Sequence, residues 1–160
     1  MGLVENIGKL LKDNKSKLST AESCTAGYIS SVLTTIPGSS SYFEGSLVVY
    51  SNAAKINVLG VEKELIDTYT EVSEEVAKRM AEKIKEVMKT EYSIATTGYA
   101  DINGFGTETN PPGTIYVAVS TPQETVVKRL ELKDGRVRNV YLAAVEGLET
   151  LLSLIENRQA

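Results

Sequence analysis

"TAESCTAGYISS", residues 20–31, reads as the end of a strand running into a helix. Lys17 to Glu22 form a short strand-like run, and from Thr25 onward Ile29, Val32 and Leu33 fall on one helical stripe. Between them Glu22, Ser23, Cys24 and Thr25 place an acid, two hydroxyls and a thiol at a single strand-to-helix junction. That junction sets an α/β class. It also poses the functional question: a nucleophile site, or only a helix cap?

Working outward, residues 2–13 put Leu3, Ile7, Leu10 and Leu11 on one helical face. Pro37 and Gly38 in "IPGSSS" (36–41) stop the helix after the junction. "YFEGSLVVYS" (42–51) is β-rich toward its end, and a short helix over about 52–59 carries Lys55, with Gly60 as its terminating residue. Ser73 caps the next helix, Glu74 and Glu75 occupy its first turn, and Val76, Met80, Ile84, Val87 and Met88 form its apolar stripe. "YSIATTG" (92–98) is a buried-strand candidate. A polar loop covers 99–113, and 114–120 with 125–132 make a hairpin across "TPQE". The last helix, about 136–157, shows Val137, Tyr141, Val145, Leu148, Leu152 and Ile155. Strands and helices alternate early and a hairpin comes late. The expected architecture is a single domain over 1–160, a layered α/β/α fold around a mixed sheet.

Composition narrows the function. The 160 residues carry a formal charge of −4, which argues against a nucleic-acid partner. No apolar run approaches the roughly 20 residues of a membrane span, and the N-terminus does not read as a signal peptide. One cysteine cannot form an internal disulfide, which fits a reducing cytoplasm. There is no histidine. Ser-His-Asp, Cys-His and His-ligated zinc chemistry are therefore excluded within the chain, and no acidic cluster has metal-site spacing.

A histidine-free serine needs another base, and a lysine whose charge is disfavoured by burial is the natural one. Lys55 is the candidate for Ser23, with Tyr50 or Ser51 as a proton relay. The N–H groups of Thr25, Ala26 and Gly27 are candidate oxyanion donors. The plainer alternatives are that Ser23 or Thr25 only caps a helix and Lys55 is solvated. Cys24 reads as a small buried residue without a thiolate-stabilising partner. Glu22 is either an orienting carboxylate or a strand-end charge. "PGSSSYF" (37–43) offers hydroxyls and turn amides for a phosphate, and Arg136 and Arg138 in "KDGRVR" (133–138) suit phosphate or carboxylate. "GFG" (104–106) is no dinucleotide motif, for it lacks a third glycine and does not open a helix.

Taken in order, these pieces resemble the CinA C-terminal domain family of nicotinamide-nucleotide amidases. The matching segments are "TAESCTAG" (20–27), "IPGSSSYFEGSLVVYSNAAKINVLGV" (36–61), "VSEEVAKRMAE" (72–82), "ATTGYA" (95–100), "PGTIYVA" (112–118) and "DGRVR" (134–138). The family pattern reads AESCTGG, PGSS…F, YSN-x-x-K, VSE-x-V, TG-x-AGP, P-x-GT and GDR-x-x-VR. The resemblance runs over nearly the whole chain, without the larger N-terminal domain of full-length CinA proteins, as in a stand-alone form. It implies hydrolysis of the carboxamide of nicotinamide mononucleotide to nicotinic acid mononucleotide and ammonia, in cytoplasmic pyridine-nucleotide salvage. It implies Ser23 as nucleophile, Lys55 as base and Tyr50 as relay, with Thr25, Ser39 and Ser51 as substitute hydroxyls. Glu22, Thr25, Gly27, Ser39, Ser40, Thr97, Gly98 and Arg136 would surround a small-molecule nucleotide. No cofactor and no metal are expected, and by analogy the chain forms a homodimer.

Three departures from the pattern stand out. Ala26 replaces the first glycine of CTGG, Asp101-Ile102 replaces Gly-Pro, and Asp134-Gly135 is transposed. A methyl at position 26 disfavours positive φ. A more acidic loop is expected to hold a phosphate poorly, and the alternative reading is a diverged homologue that binds a nucleotide without turning it over.

Overall fold

The computed structural model describes residues 2–159, the side chain of Gln159 aside. The chain runs α1 (Leu3–Asp13), β1 (Leu18–Glu22), α2 (Tyr28–Leu33), β2 (Phe43–Val48), α3 (Asn52–Ala54), α4 (Lys63–Tyr69), α5 (Glu74–Met88), β3 (Tyr92–Gly98), β4 (Thr114–Ser120), β5 (Thr125–Glu131) and α6 (Arg136–Gln159). The sheet order is β2-β1-β3-β4-β5. β1 pairs in parallel with β2 and β3, while β4 runs antiparallel to both β3 and β5. The expected mixed sheet is present, with helices on both faces.

Side-chain alternation divides the core. On one face Leu18, Ile94, Ile115, Val117 and Val119 pack against Ile7 and Leu11 of α1, Ile29 and Leu33 of α2, and Leu148, Leu151 and Ile155 of α6. On the other, Ala21, Ala95 and Ala118 stand opposite one another across three strands. This row of methyls seats α5 through Val76, Ala77, Met80, Ala81 and Ile84. The largest buried side chains include Met80, Ile84, Leu33 and Ile94.

Several expectations change in detail. α2 begins at Tyr28, not Thr25, and its N-cap is Gly27 in the left-handed region. β2 begins at Phe43 and ends at Val48, so the strand precedes "VYS". α4 was not expected at all; it buries only Ile66, and no side chain caps it. On α6 the predicted stripe faces the core at Leu148, Leu152 and Ile155 but not at the start of the helix. Val137 is 85% exposed and Tyr141 41% exposed, while Ala143 and Ala144 are buried.

Three parallel strands ending at one edge create the place for a site. In an open α/β sheet the crevice outside the carboxyl ends of the strands is where ligands sit. Here Ser23 follows β1, Tyr50 follows β2, and Thr97 and Gly98 close β3.

Candidate active site

Ser23 and Lys55 meet at that edge. Lys55 Nζ lies 2.9 Å from Ser23 Oγ, and both residues are buried, Lys55 to 1% exposure. Two local features bring them there. Ser51 caps α3, its Oγ accepting from the Ala54 N–H at 3.0 Å. The helix then widens into a π-helical turn, Lys55–Leu59, which ends in left-handed Gly60. π-turns are rare and cluster at functional positions. This one carries Lys55, whose amine reaches inward to Ser23. The role expected for Ser51 as an alternative hydroxyl thus gives way to a capping role.

Burial sets the chemistry of Lys55. Loss of hydration pushes its pKa down, and the carboxylate of Glu71 partly pulls it back up. Lys55 makes no ion pair among the described residues, and Ser23 is its hydrogen-bond partner. An ammonium has three donors to satisfy, so burial and a single hydrogen-bond partner both weigh against the charged form. Cys24 is different. Burial pushes its thiol up to about 11, which keeps it protonated and unreactive near neutral pH.

The backbone around Ser23 is shaped by Glu22. That carboxylate is fully buried and accepts from the N–H groups of Ile29 and Ser30 at 2.9 and 3.0 Å. It also accepts from the hydroxyls of Thr25 at 2.7 Å and of Thr20 and Ser30 at 3.0 Å. Glu22 is therefore the cap of α2, reaching forward from the strand that precedes it. Its oxygens are spent inside the protein, which corrects the expectation that it contacts a ligand. Thr25 is corrected likewise: it is 3% exposed and bridges Glu22 to the Thr96 hydroxyl, 2.9 Å away. Of the three expected oxyanion donors, the Ala26 N–H is taken by the Ser23 carbonyl at 3.1 Å.

Ala26 takes φ 49° and Gly27 φ 92°. The methyl at 26 does not prevent the left-handed turn; it strains it by about 1–2 kcal/mol. Ala26→Gly should raise stability by about 0.5–1 kcal/mol once the greater freedom of glycine in the unfolded chain is subtracted. A urea titration reads this directly, and a lower midpoint in the variant would contradict the strain.

A cavity of about 500 Å³ opens above the pair. Ser23, Tyr50, Lys55, Thr97, Gly98 and Arg136 line it together, as the sequence led one to expect. Thr97 also donates to the Glu71 carbonyl at 2.6 Å, and a Cβ on Gly98 would lie 2.7 Å from Ile115 Cα, so the strand pair admits only glycine there. Tyr50 is 60% exposed, and its hydroxyl is 3.5 Å from Arg136 Nη1. It bonds to neither Ser23 nor Lys55, so the proton-relay role has no hydrogen bond behind it. Gly27 lines a neighbouring apolar recess with Tyr28, Val137 and Tyr141 instead of this cavity.

Ser39 and Ser40 are not brought to the site. They form a 3-10 turn, Ser39–Ser41, just before β2, and the Ser40 carbonyl accepts from Lys17 Nζ at 3.3 Å. The start of β2 pairs with Leu18 and its end with Glu22. The turn therefore lies a full strand, about 16 Å at 3.3 Å per residue, from the cavity.

Some residues of the cavity escaped the sequence reading. Glu71 and Tyr99 face into it, as does Phe105 of the long loop, beside Asp101, which the sequence marked only as a departure from the family pattern. Asn139 is fully buried and donates to the carbonyls of Ala100 and Asp134 at 2.8 Å each, tying the loop to the start of α6 and so fixing Arg136. Asn110 ties the other end, donating to the Val72 carbonyl and accepting from the Tyr116 hydroxyl. Glu71 stands just ahead of a helix cap, where an acid looks like helix-start chemistry, and nothing in its spacing from Lys55 signals the contact. No group of three or more Cys, Asp or Glu that could hold a metal ion occurs among the described residues, and no described helix is long and apolar enough to cross a membrane.

The description of the CinA C-terminal domain family matches residues 1–155. A CinA-like protein of Amoebophilus asiaticus is 39% identical over 154 residues, which is 96% of this chain and 37% of that protein. A CinA-like protein of Acidobacterium capsulatum is 46% identical over 134 residues, 84% of this chain and 32% of that protein. The chain thus spans about a third of the length of these relatives. Among solved structures, the competence or damage-inducible protein from Enterobacter asburiae superposes with a TM-score of 0.91 at 31% identity, covering 96% of each chain.

Proposed function

Because this chain belongs to the CinA C-terminal domain family, we propose that it is an amidase that hydrolyses the carboxamide of nicotinamide mononucleotide to nicotinic acid mononucleotide and ammonia. The observation that carries this reading is the buried 2.9 Å contact between Ser23 Oγ and Lys55 Nζ at the floor of a substrate-sized cavity.

In the proposed reaction the free amine of Lys55 takes the Ser23 proton as Oγ attacks the amide carbon. The Lys55 ammonium then gives its proton to the departing nitrogen, and ammonia leaves an acyl-serine. Water attacks the acyl carbon, its proton passes to Lys55 and back to Ser23 Oγ, and the acid is released. Arg136, at the mouth of the cavity beside the start of α6, is the cation for the phosphate. The direct test is ammonia release from nicotinamide mononucleotide by the purified protein, with nicotinic acid mononucleotide formed in equal amount. A folded protein that binds the nucleotide and releases no ammonia would overturn the amidase reading in favour of a binding protein.

The electrostatics give this reading a pH signature. The base works only when Lys55 is deprotonated, so the rate rises with pH through the Lys55 pKa. The Glu71 carboxylate holds that pKa up against burial. Glu71→Gln should therefore move the acid limb of the pH–rate profile to lower pH, and a limb that stays in place or moves upward would contradict it.

A further inference from the structure

The cavity has one wall that the proposed chemistry does not use. Phe105 is 87% exposed, yet it is not on a slack loop. On its N-terminal side the Gly104 N–H closes a turn on the Asp101 carbonyl at 3.0 Å. On its C-terminal side Gly106 is pressed against Pro112, where a Cβ would come within 2.4 Å of the ring Cδ. Beyond that, Thr107 and Asn110 close a second turn at 2.7 Å, and Asn110 is tied to Val72. A phenyl ring is thus held in water by a pinned loop, and it lines the same cavity as Tyr50, 60% exposed. An exposed aromatic held in this way gains most by covering a planar ligand group.

Glu71, which acts on Lys55 through its charge alone, is the second feature. Its backbone is fixed by the Thr97 hydroxyl, and its side chain faces the cavity half-buried. That carboxylate makes no hydrogen bond or ion pair with any described residue. Asp101, by contrast, already accepts from the Asn103 N–H at 3.0 Å. The remaining charges on the lining are Lys55 and Arg136. The site therefore offers three aromatic side chains, the exposed Phe105 and Tyr50 and the half-buried Tyr99, with a carboxylate free of hydrogen bonds to described residues inside and a cation at the mouth.

Resting on the amidase reading, we propose that the cavity selects its substrate by the positive charge of the planar ring that bears the amide, with Phe105 and Tyr50 as the ring's aromatic walls and Glu71 as its counter-charge. A cationic ring gains from both: aromatic faces attract cations, and an unpaired carboxylate in a half-buried site attracts them further. Bound beside Lys55, the ring's charge also disfavours the ammonium form and so readies the base. An uncharged ring carrying the same amide earns none of this.

The test uses the Ser23→Ala protein, in which binding is separated from turnover, and calorimetry with two ligands. Nicotinamide mononucleotide has a cationic aromatic ring; its 1,4-dihydro form has the same amide, ribose and phosphate on an uncharged ring. The oxidised form should bind at least about tenfold more tightly, in line with cation–π and counter-charge contributions. Glu71→Gln should bring that preference to within about threefold, and Phe105→Ala should weaken the oxidised form about tenfold, the usual scale for one aromatic stacking partner. Equal affinity for the two forms, or a preference that both substitutions leave intact, would overturn the inference. Phe105 is 87% exposed, so its removal costs the fold little. If nicotinamide mononucleotide does not bind at all, the amidase reading falls, and 1-methylnicotinamide against nicotinamide then judges ring recognition without the nucleotide. A preference for the methylated cation that Glu71→Gln removes sustains the inference; no preference sinks it.

Discussion

Ser23→Ala reduces ammonia release from nicotinamide mononucleotide by at least about a thousandfold, Lys55→Met does the same, and the double variant is no worse than either. The reason is that the two groups act as one unit. A serine hydroxyl without a base is a weak nucleophile, and an amine without the hydroxyl has nothing to activate. The 2.9 Å contact makes each useless alone. Steady-state rates of the three variants test this, and a Lys55→Met protein within tenfold of wild type would remove Lys55 from the reaction.

The same substitution carries an opposite expectation for stability. Lys55 is 1% exposed, and its folded pKa is pushed down, mainly by burial. A base whose folded pKa lies below its unfolded value binds protons more readily when unfolded. Its contribution to stability is therefore lowest at pH below the folded pKa and improves as pH rises from there toward the ordinary lysine range. Lys55→Met replaces the buried amine with an apolar chain of similar length. It should raise the melting temperature at neutral pH and flatten the rise in stability on the alkaline side. An active-site group that weakens the fold is the familiar exchange of stability for function.

Glu22→Ala is expected to be the most destabilising single change, by roughly 3–5 kcal/mol. Five donors converge on this fully buried carboxylate: two backbone N–H groups of α2 and the hydroxyls of Thr20, Thr25 and Ser30. Removing the acceptor leaves the buried N–H groups of Ile29 and Ser30 without a partner, while the hydroxyls of Thr20, Thr25 and Ser30 fall back on Ser46, Thr96 and the Gly27 carbonyl. At about 2–4 °C per kcal/mol for a chain of this size, the midpoint should fall by about 10 °C. Glu22→Gln keeps the shape but turns an amide NH₂ toward donors, so it should recover only part of the loss. Urea denaturation of both variants decides the matter; an alanine variant within 1 kcal/mol of wild type by that scale of hydrogen-bond energies would show that Glu22 is not the cap. Any loss of activity should follow the loss of folded protein, since the carboxylate does not reach the cavity.

Much of this was legible along the chain, because the features concerned are local. Apolar spacing located α1 and α5, the Ser73 cap marked where α5 starts, and "TPQE" marked the β4–β5 hairpin. The absence of histidine narrowed the choice of base to a few residue types, and the family motifs singled out Ser23 and Lys55. Where periodicity alone was followed, it erred. Val137 and Tyr141 are in phase with Leu148 and Ile155 yet stay exposed, and an apolar stripe does not say how far the surface beneath it extends.

What the sequence determined by itself, then, is the order of elements, the alternation that gives a two-faced mixed sheet, and the residue types available for chemistry. Each follows from neighbours a few positions apart. Only the tertiary structure decided which of those residues meet. Ser23 and Lys55 are 32 positions apart and come within a hydrogen bond only because β1 and β2 are parallel and a π-turn follows β2. The same parallel pairing sends Ser39 and Ser40 to the opposite end of the sheet. It turns Glu22 away from the ligand and onto α2, and it opens the cavity to Glu71 and Phe105. Distance along the chain carries no information about such meetings; the register of the strands does.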